Sequence, residues 1–235
     1  MFWSSNNAGR KRPRTARFRK SAKEMKMNIA ILGTGNIGSG LARTFAKTQH
    51  GVVVADRNGG EAAAAKLAED GLTVQAAGIA AAVAQADIVI LALPYGAIAG
   101  LADQADFAGK IVVDLTNPIK GDFSGLVVSG ENSAAEEIAR ALPGARVVKA
   151  FNTVFADLYA EGLSFNGTPV QTFVASDDDE AKQTVISVSG EAGFDARNAG
   201  GLANARYLEP LGFMNIQFGY MLGQGTQIAP FWLTR

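Results

Sequence analysis

The sequence predicts an α/β fold: a doubly wound, mostly parallel sheet with a small helical extension at its carboxyl end. Three observations predict it. From residue 27 onward, short runs rich in Val, Ile and Leu alternate with helix-length amphipathic stretches, the pattern of strands buried on both faces and joined by crossovers. A cluster of glycines, Gly33, Gly35 and Gly38, separates the first run from the first amphipathic stretch. Beyond residue 200 the composition shifts to Gly, Phe, Met and Gln, which sets the tail apart.

The first run, residues 28–32 (NIAIL), reads as a strand buried on both faces. Residues 36–48 read as a helix with Ile37, Leu41, Ala42 and Phe45 on one side, and 52–55 as the second strand. Residues 61–69 (EAAAAKLAE) are helical by propensity alone. A short third strand is expected at 72–75 and a helix at 80–84. Residues 87–93 (DIVILAL) form the fourth strand, stopped by Pro94, and 98–104 are expected to be helical. The fifth strand is 110–115 (KIVVDL), closed by Asn117-Pro118. Ser133 and Glu136 make a capping box for a helix over 133–142. Strands six and seven are expected at 147–151 and 170–175. The four acids 177–180 precede a helix running to Gly190 and complement the positive end of its dipole, a cap rather than a metal site. A last helix is expected over 203–220, folded back over the sheet's ligand edge or forming a homodimer contact.

Composition bounds the chemistry. With 48% hydrophobic and 19% charged residues, 235 residues bury a core rather than stay disordered. The absence of cysteine excludes disulfides, thiolate metal sites and thiol catalysis, and the single histidine, His50, leaves little for a His-based zinc site or a Ser-His-Asp hydrolase. His50 falls in the loop before the second strand and reads as a plain surface residue. No apolar run reaches the roughly 18–20 residues that span a bilayer, so the chain is expected to be cytoplasmic with no membrane partner.

The net charge of zero hides an asymmetry. Residues 1–26 hold nine Lys and Arg against Glu24, leaving 13 basic and 21 acidic side chains, a charge of −8, on the rest. An acidic body argues against nucleic acid as a partner. The basic head reads as a disordered extension: an arm for nucleic acid or anionic membrane, a targeting peptide, or residues upstream of a true start at Met25 or Met27. The expected organisation is this extension, a nucleotide-binding domain over 27–199 and a helical segment over 200–235.

Gly33-Thr34-Gly35-Asn36-Ile37-Gly38 is a GxGxxG between a predicted strand and a predicted helix, with Asp56 at the end of the second strand, 23 positions after Gly33. That context makes it a Rossmann-type dinucleotide fingerprint. Gly33 turns the chain out of the strand, Gly35 lets a pyrophosphate approach the backbone, and Gly38 lets the helix pack against the strand. The helix amino terminus then holds the diphosphate. Asp56-Arg57-Asn58 face the adenosine ribose with conflicting signals. Asp56 suits the ribose hydroxyls of NAD, and its repulsion of an extra phosphate is on the order of 4 kcal/mol at about 4 Å and an effective dielectric near 20. Arg57 is the kind of residue that clamps the 2′-phosphate of NADP. These residues alone leave NAD and NADP both open.

The fingerprint, Asp56-Arg57-Asn58, Leu93-Pro94, Asn117-Pro118 and the stretch Gly200-Gly201-Leu202-Ala203-Asn204-Ala205-Arg206 together resemble the NADP oxidoreductase, coenzyme F420-dependent family. The run Val148-Lys149-Ala150-Phe151-Asn152 also resembles the cytosolic domain of the STEAP metalloreductases. The likeness extends from Met27 to about Leu222. It implies a nicotinamide dinucleotide, NADP first, and a second substrate, F420 or a flavin, stacked on the nicotinamide. Thr34, Gly35, Asn36 and Ile37 would wrap the pyrophosphate, positions 56 and 57 would meet the 2′-phosphate, and Leu93 and Pro94 would line the channel. Two positions differ from the family's pattern: Asp56 stands where Ser is common, and Asn152-Thr153 where deazaflavin-reducing members carry His-Thr.

Hydride transfer between stacked rings needs little acid–base machinery, which fits a chain this poor in catalytic side chains. The sequence has no Tyr-x-x-x-Lys pair for alcohol chemistry. Asn152 either bonds the nicotinamide amide or acceptor ring, or caps a turn. Asn117-Pro118 either shapes the nicotinamide pocket or forms a turn. Asn204 and Arg206 either meet an acceptor's phosphate tail or pair with surface acids. The first expectation is therefore an oxidoreductase passing a hydride between NAD(P)H and a small-molecule redox acceptor of flavin or deazaflavin type. An NAD(P)-dependent reductase of a small carbonyl or imine, and a non-enzymatic dinucleotide sensor, are the alternatives.

Overall fold

The computed structural model describes residues 26–234, so the basic stretch over 1–25 lies outside the described residues. Six strands, β1 (Asn28–Leu32), β2 (Gly51–Ala55), β3 (Gln75–Ala76), β4 (Ile88–Leu91), β5 (Ile111–Asp114) and β6 (Arg146–Lys149), form one sheet in the order β3-β2-β1-β4-β5-β6. Every pairing in it is parallel. The order reverses between β1 and β4, and such a reversal opens a crevice at the carboxyl ends of the strands.

Strand β1 shows why the apolar runs are continuous. Ile29 and Ile31 belong to the core on one face of the sheet, Ala30 and Leu32 to the core on the other, and all four are fully buried. The first face is covered by α1 (Asn36–Phe45), α2 (Glu61–Glu69), α5 (Ala156–Glu161) and α6 (Asp179–Glu191), through Leu41, Phe45, Leu67, Leu158 and Val185. The second is covered by α3 (Ile79–Gln85) and α4 (Ala134–Ala141), through Val83 and Ile138. Two caps fall where the sequence places them. Ser133 Oγ accepts from Glu136 N, and an Asp178 carboxylate oxygen accepts from Ala181 N at the start of α6.

Several expectations change. The first helix stops at Phe45, and the third strand shifts to Gln75–Ala76. No helix forms over 98–104: a single 3-10 turn, Tyr95–Ala97, is followed by irregular turns that still bury Ile98 and Leu101. Pro94, Gly96 and Gly100 supply the interruption. The seventh strand exists as β9 (Gln171–Val174), after a hairpin of β7 (Ser164–Phe165) and β8 (Thr168–Pro169), but it is not part of the main ladder. It pairs in parallel with β10 (Asp195–Asn198), and an isolated antiparallel bridge between Lys149 and Ala175 links this pair to the main sheet's edge. The tail forms α7 (Ala205–Ile216), which continues through a wider turn over Gln217–Met221.

His50 is a second correction. It is buried, not a surface residue: Nδ1 accepts from Met27 N at 3.3 Å and Nε2 lies 3.2 Å from Glu191 Oε2. It joins the starts of β1 and β2 to the end of α6, at the edge of the sheet opposite the crevice. Among the described residues no helix is long and apolar enough to cross a membrane.

The tightest packing lies at the glycine turn. A Cβ at Gly38 would sit 1.9 Å from the Gly33 carbonyl oxygen, backbone that has nowhere to move. Gly38→Ala is therefore expected to cost about 1–3 kcal/mol. In a thermal melt that is a fall of roughly 2–12 °C for a chain of this size, and an unchanged melting temperature would contradict the packing described.

Candidate active site

At the carboxyl ends of β1, β4, β5 and β6 lies a cleft of about 460 Å³. The glycine turn forms one wall. Gly33 adopts φ +105°, closed to side-chain-bearing residues, and a Cβ there would stand 2.2 Å from the Ala92 carbonyl. Gly35 begins α1 with no side-chain cap, and a Cβ on it would meet open space. The first amides of α1 thus face a volume that no protein atom fills, the arrangement that binds a diphosphate. Asn36, Ile37 and Gly38 line the cleft beside them.

The other walls come from the turns that follow each strand. Leu93 and Pro94 after β4, Thr116 and Asn117 after β5, and Asn152 and Thr153 after β6 all face the cleft. Pro118 and Ala150 do not, being buried behind it. The turn after β6 is held by a strained backbone. Phe151 has φ +61° in the core, clamped by the edge-on ring of Phe45, the tilted ring of Phe194 and its own N–H donating to Thr172 Oγ1. A bulky residue in that region costs on the order of 1–3 kcal/mol, and here the kink carries the chain from the buried Ala150 to the cleft-lining Asn152.

Asn152 braces the turn after β6 and also faces the cleft. Its Nδ2 donates to Asn117 Oδ1 (2.9 Å) and to the Leu208 carbonyl (2.7 Å), while Asn117 Nδ2 donates back to the Asn152 carbonyl (2.7 Å). The pair braces the turn, and Asn152 Oδ1 is left with no hydrogen-bond donor among the described residues, free to accept one from a ligand. Gly212 of α7 lies against this pair, where a Cβ would be 2.6–2.8 Å from the amide atoms. The rest of α7's contribution, Asn215, Ile216 and Tyr220, closes the far side together with Phe155 and Tyr95. None of these was singled out from the sequence. Gly212, a glycine inside a helix pattern, is the one signal that pointed there.

Asp56, Arg57 and Asn58 stand outside the cleft, at the end of β2. Asp56 turns inward on its own loop. Its Oδ2 accepts from Thr34 Oγ1 at 2.5 Å, and its Oδ1 from the amides of Asn58 (2.7 Å) and Gly60 (3.2 Å). The Thr34 hydroxyl first, then the Asn58 amide, holds this carboxyl below its ordinary range. Arg57 is exposed and makes no ion pair among the described residues. Arg206 pairs through two nitrogens with Glu136, at 2.8 and 2.5 Å, and Asn204 Nδ2 donates to the Ala199 carbonyl, so both are engaged within the protein.

Among the described residues no charged side chain lines the cleft, and neither does His50; its ionisable groups are the hydroxyls of Tyr95 and Tyr220. The Tyr95 hydroxyl donates to Glu137, and burial, then that bond, pushes its pKa to about 12. Tyr220 stands exposed at the mouth, with its ring edge-on to Phe155 at 5.6 Å.

Residues 28–118 match the family model described as NADP oxidoreductase coenzyme F420-dependent. The F420-dependent NADP reductase of Methanothermobacter thermautotrophicus is 35% identical over 209 residues, 80% of this chain and 88% of the relative. Metalloreductase STEAP3 of Rattus norvegicus is 31% identical over 186 residues, 78% of this chain but 36% of that longer protein. A crystal structure from Arthrobacter sp. FB24, provisionally described as an F420-dependent NADP-reductase, superposes with a TM-score of 0.73 at 29% identity, over 87% of this chain and 100% of that one.

The Thr34–Asp56 bond gives a test with a defined sign in pH. A carboxyl held below its ordinary range stabilises the fold above about pH 4 and loses that contribution as pH falls through its lowered pKa. Thr34→Val removes the largest cause of the shift. It is expected to cost about 1–2 kcal/mol near neutral pH and less as the pH drops below 4, read by denaturant unfolding. A cost that stays constant from pH 7 to pH 3 would contradict the bond's charge-assisted character.

Proposed function

The chain belongs to the NADP oxidoreductase, coenzyme F420-dependent family, and from that membership as an NADP-dependent oxidoreductase we propose that it passes a hydride from NADPH to a flavin-like or deazaflavin acceptor held in the cleft. The observation that carries this reading is that, among the described residues, no carboxyl, ammonium or imidazole group lines the cleft. Reduction of a carbonyl or imine requires a proton donor in reach of the reacting atom. Transfer between two conjugated rings requires chiefly that they be held face to face and dry. Here the Tyr95 proton is committed to Glu137, Tyr220 stands exposed at the mouth, and the lining is otherwise uncharged and largely apolar.

NADPH bound at the glycine turn supplies the hydride; the chain's residues supply its seat. The α1 amides and Gly35 take the diphosphate, Leu93 and Pro94 flank the nicotinamide, and Asn152 Oδ1 accepts from its carboxamide. Arg57 meets the 2′-phosphate. Asp56, with both oxygens already bonded within its loop, repels that phosphate less than a free carboxylate would, and the neighbouring guanidinium offsets the remainder. The exposed apolar face of α7 and its continuation, carrying Tyr207, Met214, Phe218 and Met221, is proposed as a homodimer contact.

The test is titration with NADPH and NADH, then mixing with F420 and, separately, with FMN or FAD. Oxidation of NADPH with loss of acceptor absorbance is expected. Tight binding with no oxidation by any of these would contradict the proposal and favour a small-molecule reductase or a dinucleotide sensor. Tyr220→Phe separates the first two: it is expected to leave transfer to a ring acceptor within about twofold, whereas loss of a proton donor costs about 10²–10⁴-fold. Arg57→Ala is expected to weaken NADPH by about tenfold or more, as loss of a charge-assisted bond does, with NADH unchanged. An equal effect on both would remove Arg57 from the 2′-phosphate.

A further inference from the structure

Beneath the cleft three ionisable side chains meet with almost no exposure: Asp114 at the end of β5 (0%), Lys149 at the end of β6 (0%) and Glu209 on α7 (1%). Lys149 Nζ donates to Asp114 Oδ2 at 2.8 Å, Glu209 Oε1 at 2.9 Å and the Thr116 carbonyl at 2.5 Å, so its three hydrogens are all engaged. The Glu209 carboxylate also accepts from the amides of Ala134 (2.9 Å) and Ala135 (3.2 Å), the first of α4. Asp114 Oδ1 accepts from Thr116 N at 2.8 Å. Each acceptor is matched, yet a buried triad is an expensive way to join elements, since apolar residues of equal volume often do so at no loss of stability.

Its position suggests what it is for. Glu209 follows Leu208, whose carbonyl accepts from Asn152, and precedes by three residues Gly212, which lies against Asn117 and Asn152. At two successive turns, therefore, α7 is tied to the ends of β5 and β6. Further along, the same helix and its continuation supply Asn215, Ile216 and Tyr220 to the cleft's far wall. Salt links elsewhere on the surface, such as Arg43–Asp70, join no wall of the cleft.

We propose that Lys149 and Glu209 are positioning residues: their buried ion pair sets the separation between α7 and the sheet edge, and so the width of the slot in which donor and acceptor rings meet. The proposal rests on the hydride-transfer reading of the cleft and adds that charge, rather than apolar packing, holds its α7 wall. Neither residue lines the cleft, so each acts through α7.

Two variants and three readouts test it. Glu209→Gln keeps the side chain's shape and removes its charge. The triple variant Asp114→Asn, Lys149→Met, Glu209→Met replaces the triad by neutral groups and guards against a fold lost to one stranded charge. In Glu209→Gln, amide hydrogen exchange across α7 is expected to speed at least about tenfold, with β1 and β4 unchanged. NADPH affinity is expected to stay within about twofold, while the single-turnover hydride step slows by about 10–100-fold, as a misplacement near 1 Å does. The triple variant is expected to fold and remain slow. Unchanged exchange in α7, a proportional loss of NADPH affinity and rate, or a triple variant with the wild-type rate would each overturn the proposal. If the wild-type protein reduced no acceptor, the hydride-transfer reading would fail instead, and the exchange comparison would still decide whether the triad holds α7.

Discussion

The contact between Gly38 and the Gly33 carbonyl is the constraint on which the rest of the cleft depends. With no Cβ at either position, α1 starts directly against the end of β1 and the turn after β4. That closeness points the first amides of α1 into open space beside Gly35, and it aligns them with the turns after β5 and β6. A larger residue at 38 would push α1 away from the sheet and carry the amides with it. The parallel ladder, with β1 between β2 and β4, supplies the switch point at which the same edge of the sheet gathers four turns.

Around this frame charge is kept out of the reaction space and placed where it holds the frame together. The cleft is lined by amides, hydroxyls and apolar side chains. Asp56 spends its carboxylate on Thr34 and on its own loop, the Lys149 triad lies beneath the floor, and Arg206 pairs with Glu136 near the start of α4. The strained Phe151 and the braced Asn117–Asn152 pair add rigidity that the proposed slot for two flat rings needs. A cleft of this kind orients and desolvates, and leaves the chemistry to what it binds.

Much of the fold was legible because its signals are local. Runs such as NIAIL and DIVILAL are buried on both faces and announce themselves without tertiary knowledge, and GxGxxG carries its own geometry. The glycine wall of the cleft followed from it, and the turns at Leu93-Pro94, Asn117 and Asn152 from the family resemblance and their places after the strands. What was not legible depends on long-range contacts. Ile98 and Leu101 have helical spacing, yet they reach the core from irregular turns cut by glycine and proline. His50 looked like loop surface because its partners, Met27 and Glu191, are brought to it by different elements. The run at 170–175 has the pattern of a core strand, and pattern alone does not say that it pairs with β10 instead of extending the main ladder. Lys149 and Asn152 drew notice through their place after β6, but Glu209 and Gly212 acquire meaning only when α7 is laid across the sheet edge.

The proposed reaction is hydride transfer in this cleft without a protein acid or base. The direct measurement is the single-turnover rate from NADPH to F420 or FMN as a function of pH, with the dinucleotide saturating. A rate flat to within about twofold from pH 6 to pH 9 is expected, since among the described residues no carboxylate, lysine or histidine lines the cleft and Tyr95 is held near 12. A bell-shaped or sloping profile with a midpoint inside that window, persisting in the isolated hydride step, would show a titrating catalytic group and contradict it.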